Sequence, residues 1–320
     1  MSDIYKSIFK GKKIIDLSHP VGTQSPTWPY FPQLNVTRGH GLTKSGVLSQ
    51  YFTTSQHFGT HADSPRHVIE TEFDGRRARY THEMRVEDYC GDAVCLDLSH
   101  LPEWTLIKAE HMDEALAKTG VTHDELKDMV VIVYTGVIWD DSKKYFCYSV
   151  GVGASVGHWC MKHDIKALGV DQQALDHPLH TSIGSQAGPL TMNLPGYSGR
   201  ELKYEYIERF GEEEYAHFDR DLYIEIHGQK AYDELYGLVE EKGLCNGTWE
   251  PCHKLLLGNG KVGWENLGGN IAQIVGKRFA LIGAPLNLFC GDGSMVRAFA
   301  VIDEDQVLDV PDRVYPFGDH

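Results

Sequence analysis

Gln56-His57-Phe58-Gly59-Thr60-His61-Ala62-Asp63-Ser64-Pro65-Arg66-His67 decides how this chain is read. From His57 onward it has the form H-x-G-T-H-x-D-x-P-x-H, three histidines and one aspartate in eleven residues. Neutral imidazoles and a carboxylate are the usual ligands of zinc and of harder divalent ions such as manganese. A further titratable group that binds no metal can then act as acid or base. That combination is a hydrolase site in outline.

The spacing constrains the backbone. On a helix, His57 and His61 would share a face, but Asp63 would point about 200° away from His61. On an extended chain, residues 57, 59, 61 and 63 face one way. A straight strand, however, would hold His57 and His61 about 13 Å apart, too far to reach one ion. Gly59 stands where a bend or bulge is needed, and glycine tolerates the required angles. Pro65 is expected to help stop the strand before His67. Upstream, Tyr51-Phe52-Thr53-Thr54 favours strand.

The 320 residues are enough for one large domain or two ordinary ones, and 42% hydrophobic content supplies a substantial core. A net charge of −15 argues against a nucleic-acid partner, whose phosphates need Lys and Arg. No run of about 20 apolar residues is present, so no membrane span is expected. Met1-Ser2-Asp3-Ile4-Tyr5-Lys6 lacks the apolar core of a signal peptide. The seven cysteines form no C-x-x-C, and reduced thiols in a cytoplasmic protein are the simplest account. They sit in apolar runs and are expected to pack rather than ligate.

Ile14-Ile15-Asp16-Leu17 reads as an opening strand, followed by a proline-rich loop to Pro32. Strands are expected at 93–98, 130–134 and 167–170, and helices at about 107–118 and 156–163. Thr122-His123-Asp124-Glu125 has capping-box spacing. Residues 279–282 and 296–302 read as paired strands joined across Gly291-Asp292-Gly293, a hairpin signal. The class is α/β with mixed connections. Residues 182–199 read as loop, and 201–210 and 230–241 as helices separated by Glu212-Glu213-Glu214. Nine Tyr and Phe residues lie between Tyr197 and Tyr236. They suit the packing of an inserted subdomain, with a lid or subunit contact as the sharper alternative.

On its motif the chain resembles the metal-dependent cyclase superfamily, which includes bacterial kynurenine formamidases, isatin hydrolases and trans-dienelactone hydrolases. Further similar segments are Asp16-Leu17-Ser18-His19-Pro20, Thr135-Gly136, Gly169-Val170-Asp171, His253-Lys254-Leu255-Leu256, Trp264-Glu265-Asn266 and Ala284-Pro285-Leu286. The resemblance implies a swivelling β/β/α-type single α/β domain with a mixed sheet over residues 1–320. An inserted subdomain at about 181–250 would interrupt it. It implies that His57, His61 and Asp63 ligate a first metal, that Asp63 can bridge to a second, and that His253 and Glu265 are the late ligands. It makes His67 the catalytic acid/base and places Trp28 at the substrate pocket, with core packing as the alternative for Trp28 and a surface carboxylate as that for Glu265. His177 and His180 are rivals for the late histidine, or members of a polar loop.

The chemistry expected is hydrolysis. A divalent ion, zinc or manganese, with one or two per chain, can lower the pKa of a bound water from 15.7 to about 7. The ion can also polarise a carbonyl and stabilise the oxyanion formed on attack. His67 can carry the proton from that water to the leaving group. A serine nucleophile of the G-x-S-x-G kind is not expected. Trp28-Pro29-Tyr30-Phe31 suggests a small planar or cyclic substrate. Opening of a cyclic ester or amide, lactone or isatin-like, is favoured. The alternatives are an arylformamidase acting on N-formylkynurenine and a non-catalytic metal-binding protein on the same fold. A free base beside the ligands argues against the last. The resemblance also implies a homo-oligomer, most simply a dimer.

Overall fold

Val130-Val131-Ile132-Val133, four consecutive β-branched residues, is buried throughout, which requires a strand covered on both faces. It lies mid-sheet in the structure, a computed structural model that describes residues 9–137, 139, 142–185, 199–243 and 246–315. In chain order the strands are β1 (Lys12–Asp16), β2 (Asn35–His40), β3 (Ser49–Thr53), β4 (His61–Asp63), β5 (Cys90–Asp97), β6 (Leu106–Ile107), β7 (Val130–Tyr134), β8 (Gly151–Val152), β9 (Ala167–Val170), β10 (Val262–Glu265), β11 (Arg278–Ile282), β12 (Gly293–Met295) and β13 (Phe299–Asp303). Among the described residues, nine of these form one mixed sheet, ordered β1-β13-β11-β5-β7-β9-β10-β4-β12. The segment β5-β7-β9-β10 is parallel, and antiparallel pairs extend it on both sides. The α/β class with a mixed sheet is therefore what the chain adopts.

Strand alternation sorts the core into two layers. Val94, Leu96, Val131, Val133, Leu168 and Val170 face one way, onto Met112, Ala115 and Leu116 of the helix Ala109–Leu116 and onto the helices Ala154–Lys162 and Pro251–Gly258. Ala93, Cys95, Val130 and Ile132 face the other way, with Trp264, Leu17, Phe279 and Leu281. The helix expected from about residue 107 begins at Ala109 because Leu106–Ile107 pairs with β8 instead. The capping box forms: Glu125 Oε2 accepts the Thr122 backbone N–H at 2.9 Å.

Two expectations need correction. β11 and β13 do pair antiparallel, Ala280 opposite Val301, but Gly291-Asp292-Gly293 is no hairpin turn between them. The intervening chain leaves to add β12 to β4, Gly293 opposite Asp63. Glu212-Glu213-Glu214, expected to separate two helices, instead opens the short helix Glu212–Tyr215, while Arg220–His227 is a further helix. The expected helix at 230–241 is present and carries a π-turn at Asp233–Gly237.

Six of the nine aromatics between 197 and 236 are buried: Tyr206, Tyr215, Phe218, Tyr223, Tyr232 and Tyr236. They pack with Trp104, Tyr145, Phe146 and Leu179 or on Ala154, which favours ordinary packing over a lid. Of the loop expected at 182–199, Ser182–Ser185 forms a helical turn, and 186–198 lies outside the described residues. Cys95, Cys147, Cys160 and Cys252 are buried as packing residues, but Cys290 is exposed; Cys245 lies outside the described residues. No helix among the described residues is long and apolar enough to cross a membrane.

Candidate metal centre

The bend expected between His57 and His61 is made at Gly59, whose φ is +61°. A Cβ there would lie 2.5 Å from Val21 Cγ1, so both backbone angle and space call for glycine. The chain then enters β4, which is buried and paired on both sides. His61 stands opposite Glu265 on one neighbour and Met295 on the other. Asp63 stands between two glycines, Gly263 and Gly293. At Gly293 a Cβ would approach His57 Cε1 to 2.5 Å. Pro65 opens the 3₁₀ turn Pro65–His67. That turn folds the His67 ring back onto His57, with centroids 3.9 Å apart.

The five expected ligands converge. His57 Nδ1 is 2.7 Å from Asp63 Oδ1, and His61 Nε2 is 3.6 Å from the same oxygen. His253 Nε2 is 3.7 Å from Asp63 Oδ2 and 2.8 Å from Glu265 Oε1. Glu265 Oε2 lies 3.2 Å from His61 Nε2. Asp63 thus turns one oxygen to each half of the cluster. Two overlapping triads share it, His57–His61–Asp63 and Asp63–His67–His253, each with ligand atoms within 4.8 Å of one another.

Outer hydrogen bonds set the histidine tautomers. His61 Nδ1–H donates to the Gly59 carbonyl at 2.8 Å, leaving Nε2 as the lone-pair nitrogen. His253 Nδ1–H donates to Asp176 Oδ2 at 2.7 Å, with the same result. Asp176 also accepts the backbone N–H groups of Cys252 and His253, both at 2.8 Å, and so caps the helix that carries His253. Glu265 Oε1 is steadied by the Leu175 N–H at 2.7 Å.

The donor set fits a divalent cation. His61 Nε2 and Asp63 Oδ2 are buried and have no hydrogen-bond partner, a costly state unless an ion takes both up. Burial opposes charge on His57, yet Asp63 and Asp292 outweigh it and raise its pKa to about 10. Burial likewise opposes a charged His253, but Asp176 and Glu265 raise it well above the usual range. The Asp63 carboxyl, despite burial, is held low by the surrounding imidazoles. The cluster therefore favours positive charge, which a metal supplies by displacing imidazole protons.

The centre opens onto a cavity of about 370 Å³. Its apolar wall includes Trp28, Phe31, Val68 and Trp249, and its polar wall His67, Gln173, Glu250 and Lys254. Trp28 also packs edge-on against Phe146, so it both lines the cavity and joins the core. The rivals for the late histidine stay away. His177 and His180 are buried with ring nitrogens bonded to the Trp104 and Thr248 carbonyls, and neither lines this cavity. It is the aspartate preceding them, Asp176, that reaches the site. Asp292 is the other residue missed. Its Oδ2 is 3.1 Å from His57 Nε2 and 3.3 Å from His67 Nδ1. The glycines flanking it disguised it as a turn. Asp171 satisfies Thr135 and Gly136 rather than the site.

A G-x-S-x-G sequence is present, though it holds no serine nucleophile. Gly153-Ala154-Ser155-Val156-Gly157 does match G-x-S-x-G. Ser155 nevertheless lacks the left-handed backbone of a nucleophile elbow. Its Oγ accepts the Ala109 N–H at 3.2 Å, and it does not line the cavity.

A mixed sheet bearing a His-and-carboxylate cluster beside an aromatic cavity defines the class. The chain belongs to the cyclase family: the family model "Putative cyclase" matches residues 15–177. That match takes in His57 to His67 and Asp176 but stops before His253 and Glu265. No curated protein matches the chain by sequence. Solved structures share its fold. Isatin hydrolase A from Labrenzia aggregata, bound to benzyl benzoate, has TM-score 0.64 at 18% identity over 94% of this chain and 98% of its own. Isatin hydrolase A from Ralstonia solanacearum has TM-score 0.65 at 16% identity over 93% and 95%. An isatin hydrolase bound to the product analogue thioisatinate has TM-score 0.63 at 17% identity over 93% and 95%.

Proposed function

We propose that this chain is a metal-dependent hydrolase that opens a small cyclic ester or amide, lactone or isatin-like. The observation that carries the reading is the buried cluster His57–His61–Asp63–His253–Glu265 at the mouth of an aromatic-walled cavity of about 370 Å³. That volume suits a ligand of one or two fused rings. The isatin hydrolases of the same fold lend support through the substrate in their name.

His57, His61 and Asp63 would hold one divalent ion. Asp63, His253 and Glu265 would hold a second or complete the first. Imidazole and carboxylate donors suit zinc and manganese alike. When bound, such an ion supplies Lewis acidity toward a carbonyl oxygen and acidifies a water. His67 borders the cavity, keeps a quarter of its side chain exposed, and faces Asp292 through Nδ1. Asp292 orients the ring so that Nε2 can take a proton and return it to the leaving group. Trp28, Phe31 and Trp249 flank a planar ring and exclude water. A second reading of His67 has its own observation: it falls within ligand range of Asp63 and His253. It would then be a ligand, leaving proton transfer to Glu250 on the cavity wall.

The test is metal content followed by turnover on matched lactones, cyclic amides and aryl formamides. Hydrolysis of the cyclic compounds supports the reading. Preference for the formamide would make the chain an arylformamidase. No turnover by metal-loaded protein on any of the three would leave a metal-binding protein.

We further propose a homo-oligomer that covers the β2–β3 ribbon. Val36, Leu42, Val47, Leu48, Tyr51 and Phe52 are all exposed there, Leu42 at 64% and Phe52 at 61%. An apolar patch of that density is typical of a contact surface.

A further inference from the structure

A second group of metal-type ligands lies on the helical side of the sheet, apart from the cavity. Asp113 belongs to the helix Ala109–Leu116, His123 opens the 3₁₀ turn His123–Leu126, and His163 caps the C-terminus of the helix Ala154–Lys162. Their ligand atoms all lie within 4.8 Å of one another. His123 Nε2 is 2.8 Å from Asp113 Oδ1. The His123 and His163 rings stack with centroids 4.8 Å apart.

We infer that Asp113, His123 and His163 form a separate site for a transition-metal dication, zinc being the best match. Two imidazoles with one carboxylate are zinc ligands, whereas calcium and magnesium prefer oxygen alone. Ligand atoms around a tetrahedral zinc sit about 3.3 Å apart, given bonds of about 2.0–2.1 Å. To reach that spacing one of the two stacked rings has to turn so that both in-plane lone pairs meet at one ion. Three protein ligands leave a fourth position for water.

Two observations separate this group from an ordinary surface ion pair. The carboxylate is already oriented, because Trp159 Nε1–H donates to Asp113 Oδ1 at 2.6 Å. Such outer-sphere donors commonly fix metal-binding carboxylates. The His163 ring packs on His123 and Trp159, but neither ring nitrogen makes a hydrogen bond among the described residues, and Nε2 is buried without a partner. The structural histidines differ in that each uses at least one ring nitrogen: His158, His177 and His180 each bond a backbone carbonyl, although His180 Nε2 is likewise unpartnered. The three ligands would tie together two helices and a turn. One of those helices, Ala154–Lys162, packs on the helix carrying His253.

The test titrates Zn²⁺ alone into wild-type protein and into His123→Ala and His163→Gln by calorimetry. His123 is half exposed, so its variant keeps the fold. Comparing each variant with wild type cancels whatever the central cluster binds. The expected result is one zinc fewer per chain in both variants, with hydrolytic turnover unchanged. Zinc should also raise the melting temperature of wild type more than that of either variant. Wild-type stoichiometry and affinity in either variant would overturn the site.

Discussion

Asp176 Oδ2 accepts two N–H groups of one residue, the ring Nδ1–H of His253 at 2.7 Å and its backbone N–H at 2.8 Å. The carboxylate therefore fixes both where the helix starts and which imidazole nitrogen faces the centre. Asp176→Asn keeps the shape but removes the charge and turns an amide N–H₂ toward one of these donors. Groups behind a metal ligand are commonly worth about 10–100-fold in metal affinity. That loss is the expected outcome, read by competition with a chelator. Unchanged affinity would mean that His253 is not a ligand.

His67→Ala and Asp63→Ala separate proton transfer from ligation. Asp63 faces both halves of the cluster, so its loss should remove metal and activity together. His67→Ala should keep the metal and lose about 10²–10⁴ in rate, mostly in kcat. Elemental analysis beside kinetics decides it. Loss of one ion from His67→Ala would instead make His67 a ligand, as its nearness to Asp63 and His253 allows.

Much of this site is legible in the sequence. The 57–67 spacing demanded a bend, and Gly59 supplies it. The buried strands are legible as short apolar runs, β-branched throughout only at 130–133. Asp176 and Asp292 stayed hidden for a physical reason. Each acts on a histidine distant in the chain, His253 or His57, and nothing local marks such a contact. Asp292 sits just before β12, the strand paired with β4, and the two glycines flanking it read as a turn. One of those, Gly293, is required by the nearness of the His57 ring rather than by a turn.

Gly59→Ala tests the bend. Alanine at φ +61° costs about 1–2 kcal/mol, and its Cβ would press on Val21. Relief comes by moving residue 57 away from 61. The expected outcome is a lower melting temperature together with weaker metal binding. Adding Val21→Ala should restore part of the stability, since it removes the clash and not the backbone strain. A variant that matches wild type in both measurements would refute the role given to Gly59.

Light scattering tests the proposed oligomer. A mass of about twice the 36.0 kDa chain is expected at micromolar concentration. Tyr51→Ser with Phe52→Ser should shift it toward the monomer while leaving the metal centre intact, because both side chains are exposed and remote from the sheet core. A monomeric wild type would count against the proposal, and a dimeric double variant against the ribbon as its contact.

His177 makes stability depend on pH. Its Nδ1 accepts the Leu179 N–H at 3.1 Å and its Nε2–H donates to the Trp104 carbonyl at 3.0 Å, an arrangement only the neutral ring can make. Burial lowers its pKa to about 3. In the unfolded chain it titrates near 6.5. Between those values the unfolded state binds the extra proton, so stability rises with pH. The contribution is complete above about pH 6.5 and is lost as pH falls toward 3, by about 1.4 kcal/mol per unit for one proton. His177→Asn can still accept the Leu179 N–H but cannot titrate. Urea unfolding with chelator present, from pH 7.5 to 4.5, should therefore show a lower stability for the variant at pH 7.5. Its decline on acidification should be shallower by close to one proton. Parallel curves would mean that the imidazole becomes protonated without unfolding, and that the buried neutral ring is not what acid attacks.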